Sequence, residues 1–397
     1  MHCLTRLPAL TDSRLIRPLD NKHLVSRTCM PEIIPAEAYR DVLLNNTPLI
    51  DTRAPIEFSK GSFPAAVNLP LLDDDERQQV GLRFREAGQQ AAIQLGEQLI
   101  SGELRQQRLD QWVGFVRQHP DALLFCFRGG LRSRTTQAWL ADAGIEIPRI
   151  AGGYKSMRRY LLNTLGEACI SCDFLLVAGK TGCAKTRLLN QLSPSIDLEG
   201  LANHRGSAFG RRVKPQPGQI NFEISLAIAF LRLPFEQYSR VILEDESHAI
   251  GSLSLPVDLF TRMKQSPVAV IEESLAFRVE TVLRAYIEMN FSDFSQEDPS
   301  NAETRFSEYL LGSLQRIQRR LGSELYSSLQ RDLTEALRQH FQNHDSSYHQ
   351  VWIEKLLRHY YDPMYEYQLE KKQHRIVFRG NSEEFLFWAS RLDYSKD

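Results

Sequence analysis

Phe174-Leu175-Leu176-Val177-Ala178-Gly179-Lys180-Thr181-Gly182-Cys183-Ala184-Lys185-Thr186 decides how the rest of the chain is read. Five consecutive apolar residues closed by a glycine describe a short strand covered on both faces. The turn after it and the residues from Lys185 onward describe a loop feeding a helix. Gly, four residues, Gly, Lys and then Ser or Thr is the pattern of a loop whose amides cradle phosphates. Gly179, Thr181, Gly182, Lys185 and Thr186 are therefore the expected diphosphate-binding residues, with Thr186 also placed to hold Mg2+. Ala184 stands where the second glycine belongs, so a Cβ has to fit a tight turn. The pattern calls for a phosphate-bearing ligand and does not require ATP hydrolysis.

Downstream, Val241-Ile242-Leu243 and Val268-Ala269-Val270-Ile271 read as two more buried strands of the same α/β unit. Glu244-Asp245-Glu246-Ser247 follows the first of them, where an acidic strand end would face the phosphate loop. From Ala276 to Leu357 the spacing is helical, rich in Arg, Gln and Glu, and is expected to cover the second sheet.

Upstream, Pro48-Leu49-Ile50-Asp51, Ala66-Val67-Asn68-Leu69 and Ala122-Leu123-Leu124-Phe125 read as strands, the last running into Cys126. A helical insertion from about Asp75 to His119 separates the second from the third, and a helix from Leu131 to Ala143 stops at Gly144. Alternating strands and helices predict a parallel sheet here too. The expected division is a poorly defined extension over 1–30, a first α/β domain over 31–168, and a phosphate-loop domain with a helical C-terminal region over 169–397.

Phe125-Cys126-Phe127-Arg128-Gly129-Gly130-Leu131-Arg132-Ser133 is the second chemical feature. A cysteine at a strand end, a Gly-rich loop and a helix N-terminus bring amides and a positive dipole end to the sulfur, which favours thiolate, the nucleophilic form. Arg128, Gly129, Gly130 and Arg132 form the expected oxyanion site around Cys126. The spacing Cys126-x5-Arg132 also fits a cysteine-dependent phosphatase. A lone cysteine would ordinarily be a small buried apolar residue. Asp51 and Arg53 read as a structural ion pair rather than as catalysts. Cys169-x-x-Cys172 has no second pair to make a metal site, and His340 and His344 read as surface residues.

The 397 residues carry a formal net charge of −1, so the whole chain is no polyanion binder by charge alone. Local clusters differ: Arg205, Arg211, Arg212 and Lys214 stand without an acid between them, and are the expected RNA-contacting residues. No apolar run reaches the ~20 residues that a membrane-spanning helix needs, and no signal-peptide core is present. With six cysteines in so long a chain, a cytoplasmic protein without a disulfide framework is expected.

The stretches Leu49 to Phe58 and Lys60 to Pro70, together with the Cys126 loop, resemble a rhodanese domain. A rhodanese-like domain followed by a P-loop NTPase-like domain in a chain of this length resembles the tRNA 2-selenouridine synthase family, and the resemblance runs from Pro31 to the C-terminus. It is carried also by Gly88-Gln89-Gln90-Ala91-Ala92, Ile150-Ala151-Gly152-Gly153-Tyr154-Lys155, and Glu199 through Gly210. The resemblance implies conversion of 2-thiouridine to 2-selenouridine at the tRNA wobble position, with selenophosphate as selenium donor. It implies geranylation of the thiouridine from geranyl diphosphate on the way, with Cys126 carrying selenium. It also implies tRNA as macromolecular partner and a selenophosphate-producing enzyme as a further one. No tightly bound cofactor or metal is expected, and the protein is expected to be a monomer. A generic sulfurtransferase, a cysteine phosphatase, a kinase or ATPase, and an RNA-binding adaptor are the competing readings.

Overall fold

The computed structural model describes residues 32–233, 240–392 and 394; the extension expected over 1–30 lies outside the described residues. The upstream part contains β1 (Ile33–Ile34), α1 (Tyr39–Leu44), β2 (Leu49–Asp51), α2 (Pro55–Ser59), β3 (Ala66–Asn68), α3 (Asp74–Leu99), α4 (Gly102–Gln118), β4 (Leu123–Phe125), α5 (Leu131–Asp142), β5 (Arg149–Ile150) and α6 (Gly153–Ser171). Its strands form one parallel sheet in the order β1-β5-β4-β2-β3. The expected helical insertion is the pair α3 and α4. A reciprocal cap starts α3, the Asp73 carboxylate accepting from Glu76 N at 2.8 Å and the Glu76 carboxylate from Asp73 N at 2.8 Å.

The phosphate-loop part follows with β6 (Asp173–Gly179), α7 (Lys185–Leu189), β7 (Ser195–Ile196), α8 (Leu198–Leu201), α9 (Gln219–Arg232), β8 (Arg240–Glu244), the hairpin β9 (Ala249–Ile250) and β10 (Leu253–Ser254), α10 (Val257–Met263) and β11 (Val268–Ile271). Helices then dominate: α11 (Leu275–Val282), α12 (Met289–Glu297), α13 (Ala302–Arg316), α14 (Gln318–Leu321), α15 (Ser323–Asn343), α16 (His349–Leu356) and α17 (Asp362–Glu370). Two π-helical stretches, Leu283–Glu288 and Leu357–Tyr361, interrupt them.

The C-terminal region is not helical to its end. The chain returns to the sheet as β12 (Ile376–Gly380), parallel to β11, and closes with α18 (Ser382–Ala389). The five residues of β12 alternate between half-buried and exposed, as an edge strand does, and its partner lies far away in sequence. The second sheet thus reads β12-β11-β6-β8-β7.

Side-chain alternation shows how the sheets meet. Leu49, Leu123 and Phe125 of the first sheet, and Phe174, Leu176, Val241, Leu243, Val268 and Val270 of the second, belong to one continuous core. Their sequence neighbours Ile50 and Leu124, or Leu175, Val177, Ile242 and Ala269, face away into separate cores. Met157, Leu161, Leu165 and Ala168 of α6, and Phe222, Leu226 and Phe230 of α9, fill the shared core. The expected division at 168/169 therefore falls inside α6, whose inner face is buried in this core. Cys169 and Cys172 lie in this seam, both buried.

The helical part has its own core, which includes Phe306, Leu310, Leu329, Leu333 and Trp352. His340, expected at the surface, is half-buried in it: its Nδ1 lies 3.3 Å from Nε2 of the fully buried His349, to which Trp352 Nε1 donates at 2.9 Å. Aromatic neighbours override the polarity that the helical spacing suggested.

Candidate functional site

Cys126 is the first residue after β4 and is 3% exposed. The Gly130 amide donates to its sulfur at 3.2 Å, and the Ser133 hydroxyl lies 3.3 Å away. A second pair of glycines holds the loop from outside. Tyr154 N donates to the Cys126 carbonyl at 2.9 Å and Lys155 N to the Phe127 carbonyl at 3.0 Å. That approach requires Gly152 and Gly153, both at positive φ: a Cβ on Gly153 would overlap the Cys126 carbonyl oxygen. The start of α6 is thus a clamp on the cysteine loop.

The expected arginines part company. Arg132 donates through both terminal nitrogens to Glu57, the second at 3.2 Å. Burial alone would raise the Glu57 carboxyl, but Arg132 holds it below its usual pKa. Arg128 is exposed beside the Phe127 ring. Arg149, which motif reading left in the background, is buried and donates to the Gly129 carbonyl at 3.1 Å. Asp51 and Arg53 form a fully buried pair at 2.6 Å, with Arg53 also donating to the Gly61 carbonyl and lying 3.8 Å over the Tyr154 ring. These contacts make the pair structural.

The phosphate loop keeps its turn despite Ala184, which takes the left-handed conformation with φ 55 and ψ 34. For an alanine this costs about 1 kcal/mol. Gly182, at φ 92, passes the backbone of Arg278 so closely that a Cβ there would strike its carbonyl oxygen. Lys185 folds back onto the Gly179 carbonyl at 3.3 Å, and the Thr186 hydroxyl donates to Glu244 Oε1 at 3.0 Å. Glu244 ends β8, which pairs directly with β6, so the expected acidic strand end does face the loop.

Glu199 is the residue motif reading did not single out here. Its backbone amide donates to Glu244 Oε2 at 2.8 Å. Burial lowers the pKa of Lys185 by itself, yet Glu199, Glu246 and Glu244 outweigh it and hold the ammonium above its ordinary value. Burial, reinforced by mutual repulsion, pushes Glu199 and Glu244 up to about 8 and Glu246 up to about 7. The loop's one lysine is thus set against three carboxylates whose pKa values are raised to about 7 to 8.

The segment after Glu199 carries the basic cluster. Burial, followed by Arg211, Arg205, Arg212 and Arg316, holds His204 below its usual pKa, so four guanidinium groups surround one neutral ring. None of the four makes an ion pair among the described residues. Arg316, from the end of α13, reaches the Ala208 carbonyl at 3.1 Å and is the member no local reading would find. Lys214 is exposed nearby in sequence, its carbonyl accepting from Asn203.

Residues 172–395 match the family model described as the tRNA 2-selenouridine synthase AAA domain. A protein of Shewanella oneidensis named tRNA 2-selenouridine synthase is 47% identical over 361 residues, covering 91% of this chain and 96% of its own. Proteins of the same name from Pseudomonas fluorescens and Bordetella petrii are each 48% identical, covering 86% and 88% of this chain and 94% of their own. Cys126 and the Gly179 to Thr186 loop both lie within the span shared with these relatives in length, and the chain belongs to the tRNA 2-selenouridine synthase family.

Proposed function

We propose that this chain replaces the sulfur of 2-thiouridine in tRNA by selenium, and that it does so in two steps at two loops. In the first, the thiocarbonyl sulfur attacks the carbon of geranyl diphosphate that bears the diphosphate. A C–S bond forms, the C–O bond breaks, diphosphate departs, and the base loses its N3 proton. Gly179, Thr181, Gly182, Lys185 and Thr186 would hold the diphosphate. Thr186 and Glu244 provide the hydroxyl and carboxylate oxygens that Mg2+ takes, and the ion would neutralise diphosphate charge there.

In the second step S-geranyl-2-thiouridine, selenophosphate and water give 2-selenouridine, geranylthiol and phosphate. Alkylation has by then made the sulfur a better leaving group. Selenium stays at the selenide level throughout: the P–Se bond breaks as water takes the phosphoryl group, a C–Se bond forms at C2 and geranylthiolate leaves. The Cys126 thiol, contacted by the Gly130 amide, receives the selenide as it passes, with exposed Arg128 beside the loop to meet selenophosphate. Arg132 would join only by leaving Glu57. That same engagement weighs against the phosphatase reading, which needs the arginine free to hold a phosphoryl group over the thiol. Arg205, Arg211, Arg212, Lys214 and Arg316 would grip the tRNA backbone.

The observation that carries the proposal is the pairing of a clamped, amide-contacted cysteine with an acid-lined phosphate loop on two sheets that share one core. The test is the nucleoside content of tRNA from cells that rely on the Cys126→Ser protein. Mass spectrometry of digested tRNA is expected to find no 2-selenouridine at unchanged protein level; persistence of that nucleoside would sink the assignment.

A further inference from the structure

In the order β12-β11-β6-β8-β7 the chain leaves β6 toward β8 and β7, then crosses back to place β11 on the other side. The gap between β6 and β11 is where the strand order reverses. Open parallel sheets bind ligands in the crevice beyond the carboxyl ends of such strands. A crevice of ≈ 190 Å³ lies there, lined by Lys180 and Cys183 of the phosphate loop, Ile271 at the end of β11, Glu273, Arg278 and Tyr365.

Two buried polar atoms on its walls have no hydrogen-bond partner among the described residues: the Tyr365 hydroxyl and Nε of Arg278, a residue 4% exposed. Buried polar groups left in that state are costly, and a hydrogen-bonding ligand in the crevice would satisfy them. The other atoms of the Arg278 guanidinium are committed, bonding both oxygens of Asp362 at 2.7 Å and the Thr181 carbonyl at 3.4 Å. Charge on the walls is balanced by Lys180 against Glu366 at 2.6 Å and Arg379 against Glu272 at 2.7 Å. A neutral, hydrogen-bonding ligand therefore fits this crevice better than an anion or a hydrocarbon.

We propose that this crevice is the pocket for the acceptor base, a uracil-class ring swung out of the RNA stack. The inference rests on the tRNA reading above. A flat heterocycle of that size presents donors and acceptors on its edge, as extruded bases do to the enzymes that modify them. Tyr365 and Arg278 bond its edge, and the neighbouring phosphate loop brings the diphosphate-bearing carbon to its sulfur.

Photo-crosslinking tests it, using the full chain and an anticodon stem-loop with 4-thiouridine at the wobble position. Crosslinks are expected in the peptides containing Lys180 to Cys183 or Tyr365 to Leu369. Tyr365→Trp, which fills the crevice from α17, is expected to cut their yield about tenfold while stem-loop affinity changes less than about twofold. Tyr365→Phe, a milder change in case the first variant misfolds, is expected to cut it about threefold. Crosslinks confined to the Cys126 loop or to the Arg205 to Lys214 segment would overturn the pocket and leave the tRNA reading standing. Undiminished yield in both variants, or displacement of the crosslink by ATP, would also overturn it. A stem-loop that does not bind at all would remove the tRNA reading and the pocket together.

Discussion

The Cys126 loop and the Gly179 to Thr186 loop are built alike: each leaves the carboxyl end of a central parallel strand and enters a helix. Their settings are opposite. At Cys126 the loop is held from outside by Gly152 and Gly153. Its nearest candidate cations are committed elsewhere, Arg132 to Glu57 and Arg149 to Gly129. At the Gly179 to Thr186 loop the Cys183 amide closes the turn onto the Lys180 carbonyl at 3.1 Å, and three carboxylates hold the one lysine above its ordinary pKa. In the proposed function one local architecture would serve a resident nucleophile or a visiting anion according to what packs around it. Strand, turn and helix alone do not say which.

Four variants probe that contrast. The largest effect is expected from Gly153→Ala, because its Cβ meets the Cys126 carbonyl and its φ of 58 disfavours alanine. A loss of about 3 kcal/mol in stability is expected, read as a lower midpoint in urea. A neutral result would mean that the clamp is looser than its geometry.

Next comes Lys185→Ala. Affinity for pyrophosphate, measured calorimetrically, is expected to fall about 30-fold to 100-fold, near 2–3 kcal/mol, with the Cys126 thiol alkylating at an unchanged rate. Loss of thiol reactivity in the same variant would show that the two loops are not separate sites.

The carboxylates predict a pH dependence of known sign. With Glu199 and Glu244 raised to about 8 and Glu246 to about 7, protons leave the site as pH rises through 7 to 8 and its charge grows more negative. Pyrophosphate affinity is therefore expected to decrease from pH 6.5 to 8.5, and Glu246→Gln to tighten binding a few-fold at the upper end, about 1 kcal/mol. An affinity that rises with pH would contradict the arrangement.

Smallest is Ala184→Gly, which relieves the left-handed alanine at φ 55. A gain of up to about 1 kcal/mol is expected, offset in part by the greater entropy of glycine in the unfolded chain. Thermal denaturation would measure it, and a destabilised variant would show that the alanine methyl has a packing role.

Much was readable from residue order. Strands β2, β4, β6, β8 and β11 are continuous apolar runs, which buried parallel strands must be, and both loops follow directly from them. Gly182, Lys185 and Thr186 were legible because a phosphate loop constrains neighbours in sequence. β12 was not, since a short edge strand exposes half its side chains and carries little periodicity. Nor was the pairing of Arg132 with Glu57, the approach of Glu199 to Lys185, or the arrival of Arg316 at the Arg205 cluster.

The amino-acid sequence by itself thus determined the alternating α/β order, the cysteine at its strand end and the phosphate loop, because each depends on residues adjacent along the chain. Only the tertiary structure decided that the two sheets share a core, that three carboxylates enclose the lysine, and that a polar crevice opens between β6 and β11. Coulomb interaction, burial and unmet hydrogen bonds depend on distance in space, and the fold alone sets that distance.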